Sequence, residues 1–193
     1  MNKKGKVWIW VIVGIVLVVL VGFGWYIKGY NQAISLNENV KSAWAQVENQ
    51  LQRRNDLIPN LVNTVKGFAA QEKTIFTEVT RLRSQWGQAK TIKEKIDKAN
   101  AISDALSRLL VVVENYPQLK SNENFLALQS QLEGTENRIA VERMRYNQAV
   151  QAFNQFRRSF FGRFFTRAAG VDEAAVYFEA TKEAKTTVPK VEF

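Results

Sequence analysis

The residues from Val7 to Ile27 read VWIWVIVGIVLVVLVGFGWYI, an uncharged run that is apolar on every helical face. As a helix it is about 31 Å long, against a bilayer core about 30 Å thick. The run therefore predicts a transmembrane helix over 7–27, preceded by a basic flank at 1–6. Trp8 and Trp10 at one end, and Trp25 and Tyr26 at the other, form its interfacial anchors, because amphipathic rings prefer the headgroup level. A signal peptide is the competing reading. Its apolar region is usually about 7–15 residues and ends at a small-x-small cleavage site, and this run fits neither condition. Lys3, Lys4 and Lys6 crowd the N-terminal flank, whereas Lys28 and Lys41 are partly offset by Glu38. That bias predicts a cytoplasmic N-terminus and an extracytoplasmic remainder.

Beyond the span about 165 residues remain, enough for one domain with a real core and too few to predict a second. Only 3 prolines interrupt them, and apolar residues recur at helical spacing. The sets are Val40, Trp44, Val47 and Leu51, then Ile58, Leu61, Val65 and Phe68, then Ile75, Val79, Leu82 and Trp86. A further set runs from Ile92 through Ile96, Ala99, Ile102, Leu106 and Leu110 to Val113, and stops at Asn115-Tyr116-Pro117. Ser121 is the N-cap expected for the longest segment, whose apolar positions are Phe125, Leu128, Leu132, Ile139, Tyr146, Val150, Phe153 and Phe160. Pro59 marks either a kink or the start of a new helix, and a break is preferred. With another connection near Gly87, the chain reads as all-α: an N-terminal transmembrane helix, then an antiparallel up-and-down four-helix bundle over 30–161, with helices at 30–57, 59–86, 90–114 and 121–161, and a tail over 162–193. A three-helix bundle of longer arms is the alternative. Four antiparallel helices return the last one to the membrane, and three do not.

Three stretches resemble the LemA family of bacterial membrane proteins: RRNDLIPNLVNTVKGFAAQE (Arg53 to Glu72), LLVVVENYPQLKSNENFLALQSQLEGTENRIAVERMRYNQAV (Leu109 to Val150), and PKVEF (Pro189 to Phe193). The resemblance extends from Tyr30 to Phe193. It implies an N-terminal anchor in a bacterial cell membrane, an antiparallel four-helix bundle and no established catalytic activity. One departure concerns the end of the last helix: where such proteins usually carry a Phe-Pro pair, this sequence reads SFFGRFFTR from Ser159 to Arg167.

The chain has neither histidine nor cysteine, which removes the commonest acid-base group, thiolate nucleophiles and disulfides. Zinc sites built on His or Cys, and di-iron bundles built on Glu-x-x-His pairs, are excluded with them. No Walker A or Gly-x-Gly-x-x-Gly pattern occurs. Glu133 with Glu136, and Glu94 with Lys98, read best as solvated helix surface. The Arg53–Asp56 cluster, the loop from Asn115 to Asn124 and the triplet Glu136-Asn137-Arg138 are polar features with good structural readings as caps, turns or a buried network. No enzyme activity, cofactor, metal or small-molecule substrate is expected.

Charge is unevenly placed. Residues 1–28 carry +4, residues 29–156 carry +3, the four arginines between 157 and 167 add +4 without an acid, and the last 26 residues carry −2. A nucleic-acid binder would spread basic residues over one bundle face, so nucleic acid is not the expected partner. Between Phe156 and Arg167, five phenylalanines (Phe156, Phe160, Phe161, Phe164, Phe165) alternate with Arg157, Arg158, Arg163 and Arg167. That composition suits a peripheral membrane contact at a lipid headgroup boundary. It equally suits a bundle cap of packed phenylalanines and solvated arginines. The functional expectation is a membrane-anchored helical scaffold or adaptor of the cell envelope, partnered by the lipid bilayer, by copies of itself as a homo-oligomer and by other envelope membrane proteins. The alternative is a membrane-tethered polyanion or nucleic-acid binder with a cytoplasmic bundle.

Overall fold

A computed structural model describes residues 3–69 and 71–179, with side chains from Trp8 onward. The PKVEF stretch and the side chains of Lys3, Lys4 and Lys6 lie outside the described residues. Among the described residues there is no strand. The helices are α1 (Lys3–Lys66), α2 (Lys73–Gln88), α3 (Ile92–Val113), α4 (Pro117–Lys120), α5 (Glu123–Arg158) and α6 (Phe160–Ala168).

The predicted break at Pro59 does not occur, because α1 continues through it to Lys66. A proline inside a helix orphans the carbonyl four residues earlier. Here that carbonyl belongs to Asn55, and it accepts a hydrogen bond from Arg83 Nε at 2.9 Å. The chain breaks instead after Lys66, where Gly67 and Phe68 form a turn and the amides of Phe68 and Ala69 both return to the Val65 carbonyl. Phe68, predicted inside, is accordingly 40% exposed. The connection near Gly87 lies at 89–91, where Thr91 and Glu94 form a capping box that starts α3.

The chain divides into two compact units, one of residues 1–42 with 148–175, the other of residues 43–147 with 176–193. In the second unit four helical segments alternate in direction. The Glu48–Lys95 ion pair and the Arg54–Ser103 bond advance together along α1 and α3, so these run parallel. Glu78 meets Arg108 at 2.8 Å and Gln85 meets Lys98 at 3.0 Å, which sets α2 against α3 antiparallel. Trp44 lies against Tyr146 and Arg54 against Glu136, so α5 opposes α1. The interior takes most of the predicted apolar set, including Val47, Leu51, Ile58, Val79, Ile102 and Leu132, but Ile92, Leu110 and Leu128 are only half-buried, and Phe76, Leu109 and Leu119 are buried in addition. Asn122, rather than Ser121, caps α5, its Oδ1 accepting the Phe125 amide at 3.0 Å.

In the first unit, α5 stops at Arg158 and the predicted single helix to 161 becomes two. Ser159 leaves the helical conformation and its Oγ accepts the Gly162 amide at 3.1 Å, capping α6. Gly162 permits the turn, since a Cβ there would stand 1.8 Å from the Phe156 carbonyl oxygen. Residues 160–168 are thus helix rather than tail. Phe160, seven beyond Phe153 and predicted to continue its stripe, is 87% exposed because the stripe ends with α5.

Candidate membrane-contact site

Within the first unit, α6 lies against the end of the apolar run. Phe161 and Phe165 set their ring centroids 5.0 and 4.9 Å from Trp25, and Phe164 stands 6.1 Å from Tyr26. Gly29 makes the approach possible: a Cβ there would meet the Phe165 ring at 2.3 Å. The helix from Trp8 is long and apolar enough to cross a membrane, and the residues of its apolar stretch are exposed. Trp8 and Trp10 lie exposed at the other end of that run.

The nine predicted contact residues divide by position. Phe160, Phe161 and Phe164 fall within about 100° of arc on α6 and are exposed, whereas Phe165 faces inward at 3% exposure. Phe156 is half-buried on α5. The arginines divide as well. Arg157 donates to the Asp172 backbone carbonyl at 3.1 Å, and Arg167 pairs with the Asp172 carboxylate at 3.1 Å. The bond from Arg167, together with Thr166 and the charges of Arg167 and Arg157, holds that carboxyl below the usual range. Arg158 and Arg163 are exposed and have no ion pair among the described residues. Phe165 is a cap, and Phe160, Phe161, Phe164, Arg158 and Arg163 form a solvent-facing apolar and cationic surface. Asp172 and Gly29 were invisible in the sequence, because neither lies in an apolar period or a charge run.

The polar motifs of the second unit take structural roles. Arg54 is 1% exposed and its guanidinium donates to Ser103 Oγ at 2.7 Å, Glu136 Oε1 at 3.0 Å and the Ala99 carbonyl at 3.0 Å. Burial lowers its pKa and the nearby Glu136 opposes that effect. Asn55 is 2% exposed, and neither end of its amide has a protein partner among the described residues. Arg53, Asp56, Asn137 and Arg138 are exposed. In the 115–124 loop, Pro117 opens α4, Tyr116 accepts from Gln71 at 2.9 Å, and Asn122 caps α5.

The LemA family model matches residues 43–193. Magnetosome protein MamQ 2 of Paramagnetospirillum magneticum is 27% identical over 151 residues, covering 65% of this chain and 56% of that protein. Magnetosome protein MamQ of Magnetospirillum gryphiswaldense is 25% identical over the same length and coverage. The chain thus spans little more than half the length of these relatives.

Proposed function

The chain belongs to the LemA family, and from that premise we propose that it is a non-enzymatic scaffold or adaptor of the bacterial cell envelope. It is a membrane-associated helical protein, and in this reading it associates with copies of itself and touches the bilayer twice, through the 7–27 span and through the outer face of α6. The observation that supports the second contact is the docking of Phe161 and Phe165 on Trp25, which sets Phe160, Phe161 and Phe164 beside an anchor's interfacial aromatics. An apolar face flanked by Arg158 and Arg163 is suited to an anionic headgroup boundary, each nearby arginine contributing about 1 kcal/mol. Flotation of the fragment from Trp25 to Phe193, which keeps the rings that α6 docks on, on anionic vesicles at low salt tests this. Flotation lost in Arg158→Gln/Arg163→Gln supports the contact, and failure of the parent fragment to float refutes it.

The N-terminus is assigned to the cytoplasm by its lysines, with the second unit outside the inner membrane. A second reading, a cytoplasmic polyanion binder, is favoured by one feature. A groove of about 760 Å³ along α2 and the end of α1 is lined by Lys66, Lys73 and Arg81 with Thr77, Thr80 and Ser84, and by no acid. Ser130 is exposed on α5. A cysteine placed there reacts with an impermeant reagent in intact cells under the first reading, and only after permeabilisation under the second.

A further inference from the structure

The last described residues follow α5 in a regular register. Ala175 donates its N–H to Asn154 Oδ1 at 3.0 Å and accepts from Asn154 Nδ2 at 2.9 Å. Phe178 makes the same two bonds with Asn147, at 2.8 and 3.0 Å. Three residues of extended chain cover about 10 Å and seven residues of helix about 10.5 Å, so the segment runs antiparallel to α5, three of its residues to about two helical turns. The Phe178 ring is 3% exposed, with the Arg143 guanidinium 4.3 Å from its centroid, one turn further along the same course. The Glu179 carbonyl accepts from Asn100 of α3 at 3.0 Å, which sets the segment between α3 and α5.

That groove continues past Glu179. Asn147, Arg143, Glu136 and Glu133 fall within about 80° of arc on α5, and Asn100, Ser103 and Ser107 within about 60° on α3. Beyond Asn100 the groove opens to about 450 Å³, with Leu106, Leu110 and Leu132 as its apolar lining, the carboxylates of Glu133 and Glu136 beside them, and no base. Glu136 holds the buried Arg54 at 3.0 Å, yet its side chain is 39% exposed. Glu133 is exposed and accepts from Gln129 at 3.0 Å.

We propose that this groove is the docking site of the chain's own residues 180–185, with Lys182 set against Glu136 and Glu133. The described chain is delivered to the mouth of the groove at Asn100, three residues before Ser103 on α3. The register that pairs residue 175 with Asn154 and residue 178 with Asn147 carries residue 181 to Ala140 and residue 184 to Glu133, so Lys182 arrives within a turn of Glu136. Alternate residues of an extended chain face the same side, and Lys182 therefore shares the inward side of Phe178, with the small Ala180 and Ala184 flanking it. An apolar groove with two carboxylates and no base complements a lysine, whose aliphatic stem packs while its ammonium pairs. Covalent delivery from Glu179 gives this segment a high effective concentration over any foreign lysine-bearing peptide or second copy.

The sequence contains no cysteine, so a single one replacing Ser107, which is exposed and lines the groove, reports occupancy through its rate of reaction with a bulky aqueous thiol reagent. In the full-length chain in permeabilised membranes, Lys182→Glu should speed that reaction about fivefold, the scale of one or two exposed ion pairs. Adding Glu133→Lys should restore the slow reaction, and Lys190→Glu, which changes net charge equally, should leave it unaltered. A rate indifferent to Lys182→Glu overturns docking of the tail. Equal acceleration by Lys190→Glu, or no rescue by the charge exchange, overturns the place of Lys182 in it. A Ser107→Cys chain ending at Glu179 should react fast even beside an excess of cysteine-free full-length chain. Its protection by that excess would assign the groove to a neighbour's tail and overturn docking within one chain.

Discussion

Arg83 Nε donates to the Asn55 carbonyl at 2.9 Å, and Asn55 stands four residues before Pro59. The carbonyl that proline deprives of its helical donor is satisfied from α2, which is how α1 passes through Pro59. Arg83→Met should therefore destabilise the protein by about 1–3 kcal/mol, the cost of a carbonyl left unpaired. In a Pro59→Ala background the restored amide supplies the missing donor, and the same change should cost less than about 1 kcal/mol. Chemical denaturation of the four variants measures the coupling, and strictly additive effects would disprove it.

Arg54 and Glu136 make a second coupled pair with an asymmetric exposure of 1% and 39%. Glu136→Ala leaves a buried guanidinium without its counter-charge and should cost about 3 kcal/mol. Arg54→Met removes the buried charge and leaves Glu136 reachable by water, so it should cost less. Adding Arg54→Met to Glu136→Ala should then recover stability. If the double variant melts below Glu136→Ala alone, the pair is not the organising interaction described.

Much of this was legible in the sequence because periodicity survives folding. The apolar span, the helical sets around Val47, Val79, Ile102 and Leu132, and the stop at Pro117 are read from spacing alone. The continuity of α1 through Pro59 and the break at Ser159 were not, since each depends on a remote or local polar group: Arg83 in one case, the Ser159 hydroxyl with Gly162 in the other. Among the contact residues, composition grouped Phe156 to Arg167 as one patch. Only the docking against Gly29 and the reach of Asp172 separate Phe165, Arg157 and Arg167 from the outward set. Asn147, polar and off the apolar stripe, gave no signal that its side-chain amide pairs with the Phe178 backbone, donating to the carbonyl and accepting the N–H.

Gly29 and Phe165 distinguish a cap from a surface. Gly29→Ala places a methyl group in the Phe165 ring and should cost about 1–3 kcal/mol by overpacking. Phe165→Ser should cost more, through the cavity it opens. Phe164→Ser, at 57% exposure, should leave the melting temperature nearly unchanged. Equal losses for Phe164→Ser and Phe165→Ser would assign both to the core.

Asp172 links α6 to pH. Its carboxyl is held below the ordinary value of 3.8 by Arg167, with help from Thr166 and Arg157. A lowered folded-state pKa stabilises above the unfolded value and is lost as pH falls through the folded one. Amide exchange at Val171, whose N–H bonds the Thr166 carbonyl at 2.9 Å, should therefore lose protection only below about pH 4. Asp172→Asn should show reduced protection already at neutral pH and no such acid step. An acid step that survives Asp172→Asn would assign it to another carboxyl.

The central claim, that α6 makes a second membrane contact beside the anchor, is tested most directly by spin labels at single cysteines in the full-length chain. The labels are placed at Phe161, Phe164 and the exposed Glu173, and the chain is reconstituted in anionic bilayers. The account predicts that labels at 161 and 164 relax mainly with dissolved oxygen and are shielded from an aqueous nickel chelate, while the label at 173 relaxes with nickel. Labels at 161 and 164 as open to nickel as the one at 173 would contradict it.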